Sequence, residues 1–104
     1  MKIFDIYIAY ISWESGGKRR PALILEKGVG SVTVFNITTR YEGKSEDIRA
    51  KYFTINNWQQ AGLDRPSYID TNRTVTLPIT AVDIPIGKLT AADEARLIEF
   101  INQW

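Results

Sequence analysis

From Asp5 to Trp13 the chain reads DIYIAYISW, rich in β-branched and aromatic residues with no helix breaker inside, and this predicts a strand. Ile6, Ile8 and Tyr10 share one face; Tyr7, Ala9, Ile11 and Trp13 share the other. Both faces are apolar, as in a strand covered on two sides, and in so short a chain the second cover would come from a partner subunit. PALILE, Pro21 to Glu26, predicts a second strand opened by a proline, a tolerated position. The glycines of KGVG mark a turn, and SVTVFNIT, Ser31 to Thr38, predicts a third strand, so residues 21–38 read as a hairpin. Val32, Val34, Asn36 and Thr38 lie on one face of that strand, with Thr33, Phe35 and Ile37 on the other.

The alternation then breaks. TRYEGKSEDIRAK is charged and without a sustained period, a long exposed loop. YFTI predicts a short strand. In NNWQQAG, Asn56 and Gln59 have capping-box spacing and Gly62 is a plausible stop, predicting one or two helical turns. PSYID and RTVTLP read as two strand pieces around a turn at Thr71-Asn72, and IGKL as a last short strand. LTAADEARLIEFINQW is the clearest helix: Thr90 and Asp93 have N-cap spacing, and Leu97, Ile98, Ile101 and Trp104 recur on one face. About six short strands followed by a helix predict a mostly β fold. It would be a small SH3-like barrel with a C-terminal α-helix and one short internal helix, in a single domain over residues 1–104.

Composition narrows the chemistry. The 104 residues carry 13 Lys/Arg against 12 Asp/Glu, but unevenly. Residues 1–52 hold nine cations and six anions, a net of +3; residues 53–104 hold four and six, a net of −2. An anion-binding face would therefore draw on the first half. No cysteine is present, which excludes disulfide and thiolate chemistry. No histidine is present either, removing the commonest general base and the commonest transition-metal ligand. No apolar run is long enough to span a membrane and the first residues lack a cleavable signal pattern, so a cytoplasmic protein is expected. The sequons at Asn36 and Asn72 then carry no glycosylation meaning.

GGKRRPALIL holds three adjacent cations, Lys18, Arg19 and Arg20, behind two glycines and before Pro21. Read plainly, it is a solvated loop whose cations keep a sheet edge from pairing. Read for chemistry, the glycines fold the loop back and Arg20 sits at the mouth of a strand, offering phosphate a planar fork. The segment resembles that of PemK/MazF-type toxins, the ribonuclease toxins of bacterial toxin–antitoxin pairs. DIYIAYIS is similar to the family's opening strand, VTVFNITT to the strand that ends in a functional threonine, and PSYIDTNRTVTLP to a later hairpin; the terminal helix also fits. The likeness covers nearly the whole chain and implies a MazF-like barrel.

By that resemblance Arg20 falls at the catalytic arginine, Thr38 at the catalytic threonine, and Asp70 near an acid that some members use. Tyr68 stands where some members place a second arginine, and the histidine that some carry in the first loop has no counterpart. The resemblance implies metal-independent cleavage of single-stranded RNA by the adjacent 2′-hydroxyl, leaving a 2′,3′-cyclic phosphate and a 5′-hydroxyl. No cofactor is needed. It also implies a homodimer and an acidic antitoxin partner. Arg20 would hold the phosphoryl charge, while the proton-transfer groups stay open among Asp70, Glu14, Tyr68, Lys18 and Lys44. Lys18, Arg19, Arg40 and Tyr68 are candidates to bind RNA; Tyr41, Lys44, Arg49 and Lys51 lie beside them, interleaved with acids. Trp13, Trp58 and Trp104 read as core or interface residues. The alternatives are a gyrase-poisoning toxin of the same fold group, acting through the helix end near Trp104, and a non-catalytic SH3-like binding module.

Overall fold

The computed structural model describes residues 1–103, the side chain of Trp13 excepted. The expectations for Trp13 and Trp104, and the gyrase-type reading that leans on Trp104, therefore lie outside the described residues. Strands β1 (Asp5–Trp13), β2 (Gly16–Lys27), β3 (Ser31–Thr38), β4 (Tyr52–Thr54), β5 (Tyr68–Pro78) and β6 (Val82–Lys88) form one antiparallel sheet in the order β4-β5-β3-β2-β1-β6. The two edge strands do not pair, so the sheet is an open counterpart of the expected barrel.

Apolar residues cover both faces, as the first strand's pattern requires. Ile6, Leu23, Phe35, Ile37, Phe53 and Ile69 pack on one side with Leu97 of helix α2 (Ala91–Ile101). Ala9, Ile11, Ala22, Ile24, Val32, Val34 and Leu77 form a second cluster on the opposite side. Strict alternation along β3 divides Val32 and Val34 from Phe35 and Ile37. Trp58 packs against the first cluster. Thr90 caps α2 by accepting from the Asp93 amide, as its spacing predicts. Ile98, expected on the apolar face, is instead 47% exposed, and the buried stripe runs through Asp93 and Leu97. Among the described residues no helix is long and apolar enough to cross a membrane.

Local expectations are corrected at several places. The basic run is not a loop: β2 starts at Gly16 and pairs residue by residue with β1, from Trp13 opposite Gly16 to Ala9 opposite Arg20. The reason is Tyr10, whose ring lies over Gly17; a Cβ there would come 2.2 Å from the tyrosine oxygen. Gly17 is thus a floor for an aromatic ring, not a hinge. The segment 56–62 winds through hydrogen-bonded turns and stops at Gly62 (φ 94°), but it is not a helix. Its leading amides donate to Asp93 of α2, which takes over the task of a local cap. The short internal helix is α1 (Glu46–Arg49), inside the expected loop and capped by Ser45.

β5 is a single strand rather than two pieces, though its ladder with β3 is interrupted where the turn was expected. Val34 faces Val75 while Asn36 faces Asp70, leaving extra residues on β5. Thr71 and Asn72, within this bulge, hook onto the backbone carbonyls of Lys51 and Ile48. β6 is likewise longer than IGKL, reaching back to Val82.

Candidate active site

The face that carries the second apolar cluster turns polar at one end. Along β2 the residues Ile24 and Ala22 give way to Arg20 and Lys18; along β3 Val32 and Val34 give way to Asn36 and Thr38. Cross-strand register lines these positions up. Ala22 faces Asn36, Asn36 faces Asp70 and Asp70 faces Tyr52, a row across four strands. Next to it Thr38 faces Tyr68, and Arg20 stands two residues from Ala22 on the same face. Arg20, Asn36, Thr38, Tyr52 and Asp70 line a cavity of about 610 Å³, whose walls also include Lys18, Arg40, Lys44, Asp64 and Arg65. Arg20, Thr38 and Asp70, separated by up to fifty positions in sequence, are thus brought to one place.

Hydrogen bonds hold Thr38 and Asp70 in place. Thr38 Oγ1 accepts from the Arg40 amide at 3.0 Å, so its own hydroxyl proton is left to point elsewhere. Asp70 Oδ1 accepts from the backbone and side-chain nitrogens of Asn72 at 2.9 and 2.8 Å. Asn72 is itself tied to the Ile48 carbonyl at 3.0 Å, so the bulge in β5 fixes the carboxylate. Asn36 Oδ1 is buried with no hydrogen-bond partner, an acceptor left for a ligand donor.

The remaining candidates separate. Arg19 borders the cavity, but its guanidinium is paired at 2.5 Å with Asp83 of β6. Tyr68 does not line the main cavity. It lines a neighbouring one of about 420 Å³ with Tyr41, and Arg40 and Lys44 border both. Tyr41 and Tyr68 stack at 4.6 Å, and the Arg49 guanidinium stands 5.5 Å from the Tyr41 ring. Glu14 lies exposed in the β1–β2 turn and is not among the cavity's lining residues.

Sequence reading passed over Asn36, Tyr52 and Arg65. Asn36 was within reach, because it shares a strand face with Thr38 two residues on. Tyr52 was not, since only its pairing with Asp70 brings it into the site. Its ionisation is pushed above the ordinary 10.0, first by burial and then by the Asp70 carboxylate, with Arg20 acting the other way.

No protein-family profile matches the chain. It is 33% identical over 90 residues to the endoribonuclease MazF3 of Mycobacterium tuberculosis strain CDC 1551, covering 82% of this chain and 81% of that protein. The solved Mycobacterium tuberculosis toxin MazF-mt6 superposes with a TM-score of 0.73 at 32% identity, over 95% of this chain and 93% of that one. A mycobacterial endoribonuclease solved with its cognate antitoxin shares the fold at a TM-score of 0.73 and 13% identity, over 99% and 92% of the two chains. Matched in sequence over four-fifths of its length and in backbone over nearly all of it, the chain belongs to the MazF family of endoribonuclease toxins.

Proposed function

We propose that this chain cuts single-stranded RNA without a metal ion, using the 2′-hydroxyl beside the scissile phosphate as nucleophile. The observation that carries the reading is the meeting of Arg20, Thr38 and Asp70 in one open cavity. The transition state gathers negative charge on the phosphoryl oxygens. Arg20, an always-protonated fork rooted in a paired strand, offers that charge a fixed counterpart. The Thr38 hydroxyl adds a neutral donor. Asp70 is the carboxylate suited to take the 2′-proton. Lys18, Arg40, Lys44 and Arg65 ring the cavity and would follow the flanking phosphates. The test is purified protein incubated in EDTA with a mixed single-stranded RNA. We expect cuts leaving 2′,3′-cyclic phosphate and 5′-hydroxyl ends; cleavage abolished by EDTA, or 5′-phosphate ends, would sink the scheme.

The same reading gives the chain a cytoplasmic setting and two protein partners. A second copy would cover the half-buried apolar residues around the second cluster, Tyr7, Val75, Ile79 and Val82. Stable obligate interfaces of this kind bury roughly 2,000 Å² or more. An acidic, partly disordered antitoxin would lie over the cationic cavity and block RNA; structural relatives of the fold were solved as toxin–antitoxin complexes. Sedimentation tests both. A dimer alone, and a heavier complex when the chain is co-expressed with its genomic neighbour, are expected. A lone monomer at micromolar concentration in both cases would count against them.

A further inference from the structure

RNA cleavage by a 2′-hydroxyl needs two proton transfers, and a chain without histidine must find both groups elsewhere. Asp70 serves for the proton taken from the nucleophile. The proton given to the leaving oxygen has no obvious source among the cavity's cations. Arginine does not release its proton in ordinary water, and Lys18 and Lys44 are exposed on the rim.

Tyr52 answers the requirement by its position. It is the first residue of edge strand β4, directly opposite Asp70 in the ladder. Its residue is 9% exposed, and its ring is walled by Tyr41 at 6.2 Å and Tyr68 at 6.5 Å. The same residue lines the cavity with Arg20, Thr38 and Asp70. A tyrosine held only for packing has no need to face an aspartate and an arginine in a cavity. Burial and the facing carboxylate keep the proton on the phenol at neutral pH, the state an acid requires before it acts.

Resting on the nuclease reading above, we propose that Tyr52 is the general acid of the cleavage reaction, giving its phenolic proton to the departing 5′-oxygen. As the 2′-oxygen forms its bond to phosphorus, its proton passes to the Asp70 carboxylate. The bond from phosphorus to the 5′-oxygen breaks with its electron pair on that oxygen, which takes the Tyr52 proton and leaves as a 5′-hydroxyl. The site is left with a protonated Asp70 and a Tyr52 phenolate, the latter favoured by the nearby Arg20 charge. Because the two residues face each other across one ladder step, the carboxyl proton returns to the phenolate, directly or through a water. Charge and atoms then balance without a further reactant.

The experiment compares two oligoribonucleotides that differ at one atom. One has the natural 5′-oxygen at the cut; the other has a bridging sulfur there, which departs as a thiolate and needs no proton. Tyr52→Phe keeps the ring and its packing while removing the proton. It should slow kcat on the oxygen substrate by about 10²–10⁴-fold and leave cleavage of the sulfur substrate near the wild-type rate. Arg20→Ala should slow both. Two outcomes overturn the assignment: Tyr52→Phe cutting the oxygen substrate at the wild-type rate, or slowing both substrates alike. If wild-type protein cuts neither, the nuclease reading itself has failed, a different and recognisable result.

Should Tyr52→Phe not fold, difluorotyrosine at position 52 keeps the hydroxyl and acidifies it. The alkaline limb of the pH–rate profile should then move to lower pH, and an unmoved limb overturns the proposal. The charged and titratable groups that share the cavity with Tyr52 are Lys18, Arg19 and Arg20 on β2, Arg40 and Lys44 after β3, Asp64 and Arg65 before β5 and Asp70 on β5, with the Tyr41 and Tyr68 rings beside it. The fluorinated residue alone changes its own acidity among these.

Discussion

Replacing Arg20 by alanine should lower the rate of RNA cleavage by about 10²–10³-fold while the protein stays folded and assembled. Arg20 sits mid-ladder opposite Ala9, with strand on both sides of it, so truncating its side chain leaves the backbone pairing of β1 and β2 intact. What is lost is a countercharge whose position was fixed before the substrate arrived. Arg20→Lys should be nearly as poor, because an ammonium restores the charge but not the planar fork. Cleavage assays with circular dichroism on the same samples decide the matter. An Arg20→Ala protein that is folded and cuts at full rate would remove this residue, and this cavity, from the reaction.

A change far from the cavity should cost stability instead. Asp93 is fully buried, and four bonds converge on it. Its Oδ1 accepts from Arg96 Nη1 at 2.6 Å and from the Asn56 amide at 3.3 Å; its Oδ2 accepts from the Asn57 amide at 2.8 Å. Its own amide donates to Thr90, whose hydroxyl also accepts from the Asn57 side chain. One carboxylate therefore joins the first turn of α2 to the 56–62 segment. Asp93→Ala leaves two backbone donors and a cation without their acceptor. Arg96 is partly solvated, so most of the penalty comes from the backbone amides. A loss of about 3 kcal/mol is expected, near the low end for breaking a buried charged cluster. That corresponds to a fall in Tm of more than about 10 °C for a domain of this size. Asp93→Asn should also be destabilising, since one amide nitrogen would face a donor. A melting point within about 3 °C of wild type would show that α2 is held by Leu97 and its apolar neighbours alone.

These two residues also mark what could be read from sequence. The N-cap pairing of Thr90 with Asp93 is legible because the two are local partners. The second role of Asp93, capping a segment 36 residues away, depends on how α2 docks and has no local signature. The strands β1 and β3 are legible because alternation is a local pattern, whereas Thr38 by itself reads only as a polar strand end. The start of β2 is hidden in the sequence for a physical reason. Two glycines beside three cations look like a loop until Tyr10 of the neighbouring strand is laid over Gly17. In sequence the β5 bulge reads as a turn, since both disrupt a ladder. In the site, Arg20, Thr38 and Asp70 came from a family likeness and converge in the structure. Tyr52 needed the pairing of a three-residue edge strand, which no short-range rule supplies.

The strand order carries a consequence for how the chain reaches this structure. β1, the first strand made, has β6 as one of its two neighbours, with Asp5 opposite Lys88, and the Leu89 amide closes back on the Phe4 carbonyl. The ordering cost of such a closure must be met before its hydrogen bonds form. Chains dominated by distant pairings fold on the scale of milliseconds to seconds, slower than helical bundles of the same length. During synthesis one edge of β1, which ends at Trp13, stays unpaired until β6 (Val82–Lys88) has been made. The hairpins β1–β2 and β2–β3, which set Arg20 beside Thr38, close early over short loops. The strands that carry Arg20 and Thr38 can therefore pair before the last edge strand has left the ribosome.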